Sequence, residues 1–158
     1  MEILIDELTS GMPDLAESIR VVFRLLAATL LGAVVGYERE RTGKSAGLRT
    51  HMLVSLSSAI FVLAPLEAGM TVEDLSRVIQ GVAAGIGFIG AGAILKLTEA
   101  RVIEGLTTAA GIWLTAALGL AAGLGHFGLA AISAVMAWLI LAIVARLEVR
   151  RDKSDNAD

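Results

Sequence analysis

Glu38, Arg39, Arg49, Thr50 and His51 fall close together in the chain, and Lys96, Glu104, Thr107 and Thr108 bracket a second short polar segment. Carboxylate, guanidinium, imidazole and hydroxyl groups brought to one level can bind an ion, cradle an anion or pass a proton. They cannot make a thiolate site, because there is no cysteine, and two histidines give no helical zinc motif of the H-E-x-x-H kind. No metal site and no cofactor is expected. Ser55, Ser57 and Ser58 have no base in sequence reach, and hydroxyls in such a run bond to carbonyls of their own helix. With no hydrolytic triad and no catalytic carboxylate pair, the chain is not expected to be an enzyme. Charges at helix ends also serve as plain interfacial anchors, so the elements that carry these residues decide whether they form a site.

Gly85, Gly87 and Gly90, in GVAAGIGFIGAGAILK, write a literal G-x-G-x-x-G, and Glu104 follows 19 positions after Gly85. A dinucleotide turn needs a strand before the first glycine and a helix opening at the third. Residues 78–95 carry no charge at all, whereas a soluble crossover helix shows water a polar face. The same pattern recurs at Gly123, Gly125 and Gly128, so in a chain with 17 glycines the fingerprint does not indicate a nucleotide.

The chain is 56% apolar yet only 4% aromatic, more apolar surface than one soluble core of 158 residues would hide. Uncharged windows run over residues 21–37, broken by Arg24, and over 50–66, 78–95, 105–125 and 127–145. Each approaches the length a helix needs to cross about 30 Å of hydrocarbon. The expectation is an all-α polytopic membrane protein of five transmembrane helices, one domain over residues 1–150 and a short disordered charged tail over 151–158. Pro13, Asp14 and Glu17 suit the first turn of the first helix, Pro65 the end of the second, and TVED at Thr71 to Asp74 a capping box opening the third. The stretch KLTEARVIE reads as a loop, with Lys96 closing the third helix and Glu104 opening the fourth. The acidic N-terminus lacks the basic region of a secretory signal and is expected to stay. ERERTGKSAGLR, KLTEARVIE and the tail hold ten of the thirteen Lys and Arg, which puts the N-terminus outside and the C-terminus in the cytoplasm.

In lipid, helices associate through close backbone approach at small residues. The fourth helix carries Thr107, Gly111, Thr115, Gly119 and Gly123 at strict spacing of four, the first carries Ala28, Gly32 and Gly36, and Gly81 and Gly85 add a third small-residue face. These glycines are expected to pack helix on helix. Arg24, on the face of Ala28, Gly32 and Gly36, either snorkels to the boundary or turns inward to an anion or a cluster of carbonyls.

GYERE after the first window, GLRTHMLVSL opening the second, GIGFIGAGAI in the third and GLTTAAGIWLTAALGLAAG in the fourth stand in an order that resembles the MgtC/SapB family of bacterial inner-membrane proteins, over about residues 20 to 145. The resemblance implies a multi-pass protein of the bacterial inner membrane. Through the MgtC type it implies a role in magnesium limitation, exerted partly through ATP synthase or phosphate homeostasis. Through SapB-like members it implies a small transporter. MgtC-type members also carry a soluble C-terminal ACT-like module, and this sequence stops soon after the fifth window, so regulation through such a module is not expected. Carried over residue by residue, the resemblance points to Glu38, Arg39, Gly47, Leu48, Arg49, Thr50, His51, Gly87, Gly90, Gly92, Gly105, Leu106, Thr107 and Thr108. The expected partners are the lipid bilayer, a second copy in a homodimer and other inner-membrane proteins, not nucleic acid. Conduction of Mg²⁺ is not expected, because no Asp or Glu lies in the windows and Mg²⁺ sites use carboxylates plus retained water.

Overall fold

The computed structural model describes residues 1, 14–97 and 102–144. Among these described residues five α-helices follow one another: α1 Leu15–Arg41, α2 Leu48–Glu67, α3 Leu75–Gly92, α4 Leu106–Gly123 and α5 Phe127–Leu139. The last continues as a π-helical turn, Ile140–Val144. The first four are long and apolar enough to cross a membrane, and the fifth is a shorter apolar helix. Large apolar side chains such as Leu30, Phe61, Phe88 and Ile132 point outward from the bundle. A protein in water hides such residues, whereas lipid solvates them, so this is a membrane protein.

The helix starts are chemically distinct. Asp14 caps α1, its Oδ1 accepting from the Glu17 N–H at 2.7 Å, with Glu17 in the first turn and Arg39 and Arg41 in the last, as the helix dipole favours. Pro13 lies outside the described residues, as does the tail. α2 starts at an uncapped Gly47, and Glu40, from the end of α1, supplies the missing acceptor to the Leu48 N–H at 2.8 Å. Thr71 and Asp74 do pair, the threonine hydroxyl donating to Asp74 Oδ2 at 2.7 Å. They brace a turn ahead of α3 instead of forming its capping box, because the helix begins only at Leu75.

KLTEARVIE is not a plain loop. Leu95–Leu97 pairs antiparallel with Val102–Glu104, Leu95 opposite Glu104. Lys96 therefore belongs to a strand and does not close α3, and Glu104 belongs to a strand and does not open α4. Gly105 makes the turn between strand and helix: its φ of +91° suits glycine, and a Cβ there would collide with the Ala93 carbonyl oxygen.

α2 packs most extensively against α1 and α4, and α3 chiefly against α4. Where α1, α2 and α4 meet, the core is three fully buried alanines, Ala28, Ala59 and Ala122. A Cβ on Gly32 would lie 2.5 Å from the His51 carbonyl oxygen, and one on Gly36 2.8 Å from Leu48 Cα. One on Gly123 would lie 2.6 Å from Val62 Cγ2, and one on Gly119 would run into the Ser55 carbonyl. These four glycines bring α1 and α4 close against α2, with Gly32 and Gly119 both meeting it at Ser55. Gly111 has more room, with His51 Nε2 3.5 Å away, and Gly90 meets Ala109 at ordinary contact distance. Gly81, Gly85, Gly87 and Gly92 meet nothing within 4 Å among the described residues, so they bring no helix together there. Gly85, Gly87 and Gly90 lie inside one continuous helix, so the dinucleotide turn is absent as well.

The stripe on α4 also shifts. At 100° per residue, positions four apart drift by about 40° per step, which leaves Thr107 roughly 160° from Gly123. The buried face accordingly starts with Thr108 and continues through Gly111, Thr115 and Gly119, while Thr107 is exposed.

Gly32→Ala and Gly119→Ala should each cost about 1–3 kcal/mol by overpacking. Gly85→Ala should leave stability unchanged or raise it by up to about 1 kcal/mol through helix propensity. Thermal unfolding of the three variants in neutral detergent checks this, and equal losses in all three would contradict the packing described.

Candidate functional site

Where α1 ends beside the start of α2, a buried charge pair is built from consecutive residues. Glu38 Oε2 accepts from both Nε and Nη2 of Arg39, each at 2.7 Å. Their side chains are 8% and 3% exposed, so both charges are withdrawn from water and depend on each other. Arg39 Nη1 is buried without an acceptor among the described residues.

One helix over, His51 is wholly buried in the first turn of α2. The Gly47 carbonyl accepts from the His51 backbone N–H at 3.2 Å and lies 2.9 Å from its Nδ1. A carbonyl can only accept, so Nδ1 carries the proton and, in the neutral ring, Nε2 is left as a bare acceptor. Nε2 faces α4 at Gly111 and has no partner among the described residues. The packed junction of α1 and α2 thus holds one unfilled donor, on Arg39, and one unfilled acceptor, on His51.

A polar seam continues from there through the bundle. Ser55 donates to the Ala28 carbonyl of α1 at 2.6 Å, so its bond runs between helices and not within α2. Thr115 donates back to the Gly111 carbonyl at 2.8 Å, and Ser58 is buried on the same side of α2. The sequence signal for the two serines was available: His51, Ser55, Ser58 and Val62 recur at helical spacing on one face.

Of the expected polar rim, the structure buries Glu38, Arg39, His51 and Thr108 in the bundle and leaves Thr50 half-buried. Arg49, Glu104 and Thr107 are exposed, and the Lys96 side chain lies outside the described residues. Glu104, Thr107 and Thr108 do come together with Lys44 and Ser45 of the α1–α2 loop around a cavity of about 560 Å³. Lys44 and Ser45 carry no sequence signal beyond membership of a basic loop. At the other end of the molecule Arg24 has turned inward, its Nη1 donating to the Gly123 carbonyl at 2.9 Å at the C-terminus of α4. Of the two fates expected for it, this is the carbonyl cluster, and the negative end of the helix dipole favours it.

A bundle of apolar helices held by glycine contacts, with a buried acid–base pair at the α1–α2 turn, defines a small integral membrane protein whose polar groups are concentrated at one end. The MgtC family model matches residues 25–150, and the chain belongs to the MgtC family. Protein SrpB of Synechococcus elongatus is 46% identical over 137 residues, covering 80% of this chain and 75% of SrpB. The putative magnesium transporter YhiD of Escherichia coli is 40% identical over 136 residues, covering 82% of this chain and 62% of YhiD. Protein MgtC of Salmonella typhimurium is 41% identical over 106 residues, covering 67% of this chain but only 44% of MgtC. No solved structure matches the chain.

Burial separates the two residues that the sequence grouped as equals. Glu38→Ala strands the Arg39 guanidinium in the interior and should cost about 3–5 kcal/mol, so it cannot serve as a fold-neutral probe of function. Arg49→Ala, on an exposed side chain, should change stability by less than about 0.5 kcal/mol. Replacing Glu38 and Arg39 together by Met should recover most of the loss. Melting temperatures of the purified variants check the set, and a Glu38→Ala protein as stable as wild type would remove the pair from the account.

Proposed function

We propose that the protein is a non-catalytic regulator of inner-membrane physiology under magnesium limitation, acting on other membrane proteins such as ATP synthase or phosphate carriers, and not a conduit for Mg²⁺. The observation that carries this is how the charges inside the bundle are used. Among the described residues Glu38 is the one buried carboxylate, and it is already committed to Arg39. Arg24, the other charge drawn in among the helices, is committed to a backbone carbonyl. Mg²⁺ sheds water reluctantly and needs several free oxygen ligands, commonly carboxylates. A cation path through this bundle would have to break the Glu38–Arg39 pair. Purified protein in liposomes is expected to give no saturable Mg²⁺ uptake beyond protein-free vesicles, and uptake that Gly87→Leu abolishes would overturn the proposal.

A second reading, a small transporter of an ion or solute, is favoured by the naming of YhiD as a putative magnesium transporter. It shares with the first a five-span topology, N-terminus outside and C-terminus cytoplasmic, in which α5 spans together with its π-helical extension, and a homodimer. The dimer is supported by an apolar groove of about 510 Å³ between α2 and α3, lined in part by Gly81 and Gly85, which meet nothing within 4 Å among the described residues. Because the chain has no cysteine, single-cysteine variants test both features. Cysteines placed at Met1 and after Asp158 should label from opposite sides of the membrane, and Gly85→Cys should crosslink to a second copy in native membranes. Labelling of both termini from one side would refute the topology, and monomer alone would refute the dimer.

A further inference from the structure

The cavity of about 560 Å³ between the α1–α2 loop and the start of α4 has the makings of an anion site that the buried Glu38–Arg39 pair does not explain. α4 is 18 residues long, and its N-cap, Gly105, offers no side chain. The first backbone bond of the helix joins the Ala109 N–H to the Gly105 carbonyl at 2.8 Å, which leaves the N–H groups of Leu106, Thr107 and Thr108 without a helical acceptor. An independent feature points to the same place. The Thr108 side chain is only 3% exposed, lines the cavity, and makes no hydrogen bond among the described residues. Its hydroxyl is not sealed in the packed interior and opens on the cavity.

Lys44 and Ser45 complete the wall, and their position is fixed by the fold. Gly43 takes φ +69° to turn the chain, the Lys44 N–H bonds to the Arg39 carbonyl at 3.0 Å, and Ala46 is buried against Ile86, Ile112 and Ala116 of α3 and α4. Lys44 makes no ion pair among the described residues. Lys44 thus lines the same cavity as the positive end of the α4 dipole, with Glu104 as the carboxylate on that wall.

We propose that this cavity binds the oxyanion of a phosphate group, held by the open first turn of α4, the hydroxyls of Thr107 and Thr108 and the ammonium of Lys44. Several N–H and O–H donors converging with one cation match an anion that presents several oxygens, as helix N-termini do elsewhere. The volume leaves room for a substituent on the phosphate. Glu104, on the same wall, opposes the anion and keeps binding weak and reversible. The site stands whether the protein regulates or transports, because it depends only on this cavity.

The test is isothermal titration of the full-length protein in maltoside micelles with two probes, inorganic phosphate and dihexanoyl phosphatidylglycerol, which separate a soluble phosphate from a lipid headgroup. Saturable one-site binding of either probe is expected. Lys44→Ala should weaken it about threefold, Thr108→Val up to about tenfold, and Glu104→Gln should tighten it about threefold. Lys44 is exposed and its substitution leaves the bundle intact, so a folding defect in Thr108→Val would not spoil the test. Absence of saturable binding of both probes, or Lys44→Ala binding like wild type, would overturn the proposal. So would a Glu104→Gln variant that binds more weakly, the mark of a cation site.

Discussion

Everything else in this molecule depends on how closely α2 is held between α1 and α4. Gly32 and Gly36 of α1 and Gly119 and Gly123 of α4 admit its backbone to distances that any side chain would prevent. In lipid there is little hydrophobic gain from joining helices, so such contact, with the dispersion and polar bonds it permits, has to hold the bundle. The approach also decides what the polar side chains do. Ser55 reaches the Ala28 carbonyl of α1 only because α1 is this near, and His51 meets α4 at a glycine, where its ring has room.

The same contacts explain why the polar groups divide into an inner and an outer set. The end of α1 and the start of α2 are pressed together at Gly36 and Leu48, so Glu38, Arg39 and His51 are sealed in. Arg49, two residues before His51 in sequence, is turned about 200° around the helix and reaches the outside. α4 repeats the division one residue apart, with Thr108 inward and Thr107 outward. A one-residue difference in phase therefore separates a group that shapes the interior from one that meets solvent or headgroups.

The helical character of the chain and most of its helix positions were legible, because uncharged windows near 20 residues long have few other meanings. The packing roles of Gly32, Gly36, Gly119 and Gly123 were legible too, since small residues recur on helical faces. Gly81 and Gly85 follow the same rule of spacing, yet they meet nothing among the described residues, because spacing defines a face and not what lies against it. The hairpin at Leu95–Leu97 and Val102–Glu104 was hidden: its strands are three residues each, and one of them continues the apolar run of α3. Without it, Lys96 and Glu104 looked like helix ends. The Glu38–Arg39 pair was hidden for another reason. Consecutive residues on a helix do not face each other, and the two meet only because the neighbouring helices leave both side chains no other outlet.

Arg24 places a condition on the order in which the molecule is made. Its acceptor, the Gly123 carbonyl, lies 99 residues further along the chain. During synthesis the first helix must enter the bilayer carrying an arginine whose final partner has not yet been translated, and until the fourth helix arrives that guanidinium has only water and lipid phosphate to bind. The depth at which α1 comes to rest is thus settled late, when the end of α4 takes the charge over. Phe23 then stacks edge to face on Phe127, with ring centroids 5.2 Å apart, directly beyond the turn that follows Gly123. The contacts that hold this end of the first helix, unlike its packing on α2, are supplied by some of the last parts of the bundle to emerge from the ribosome.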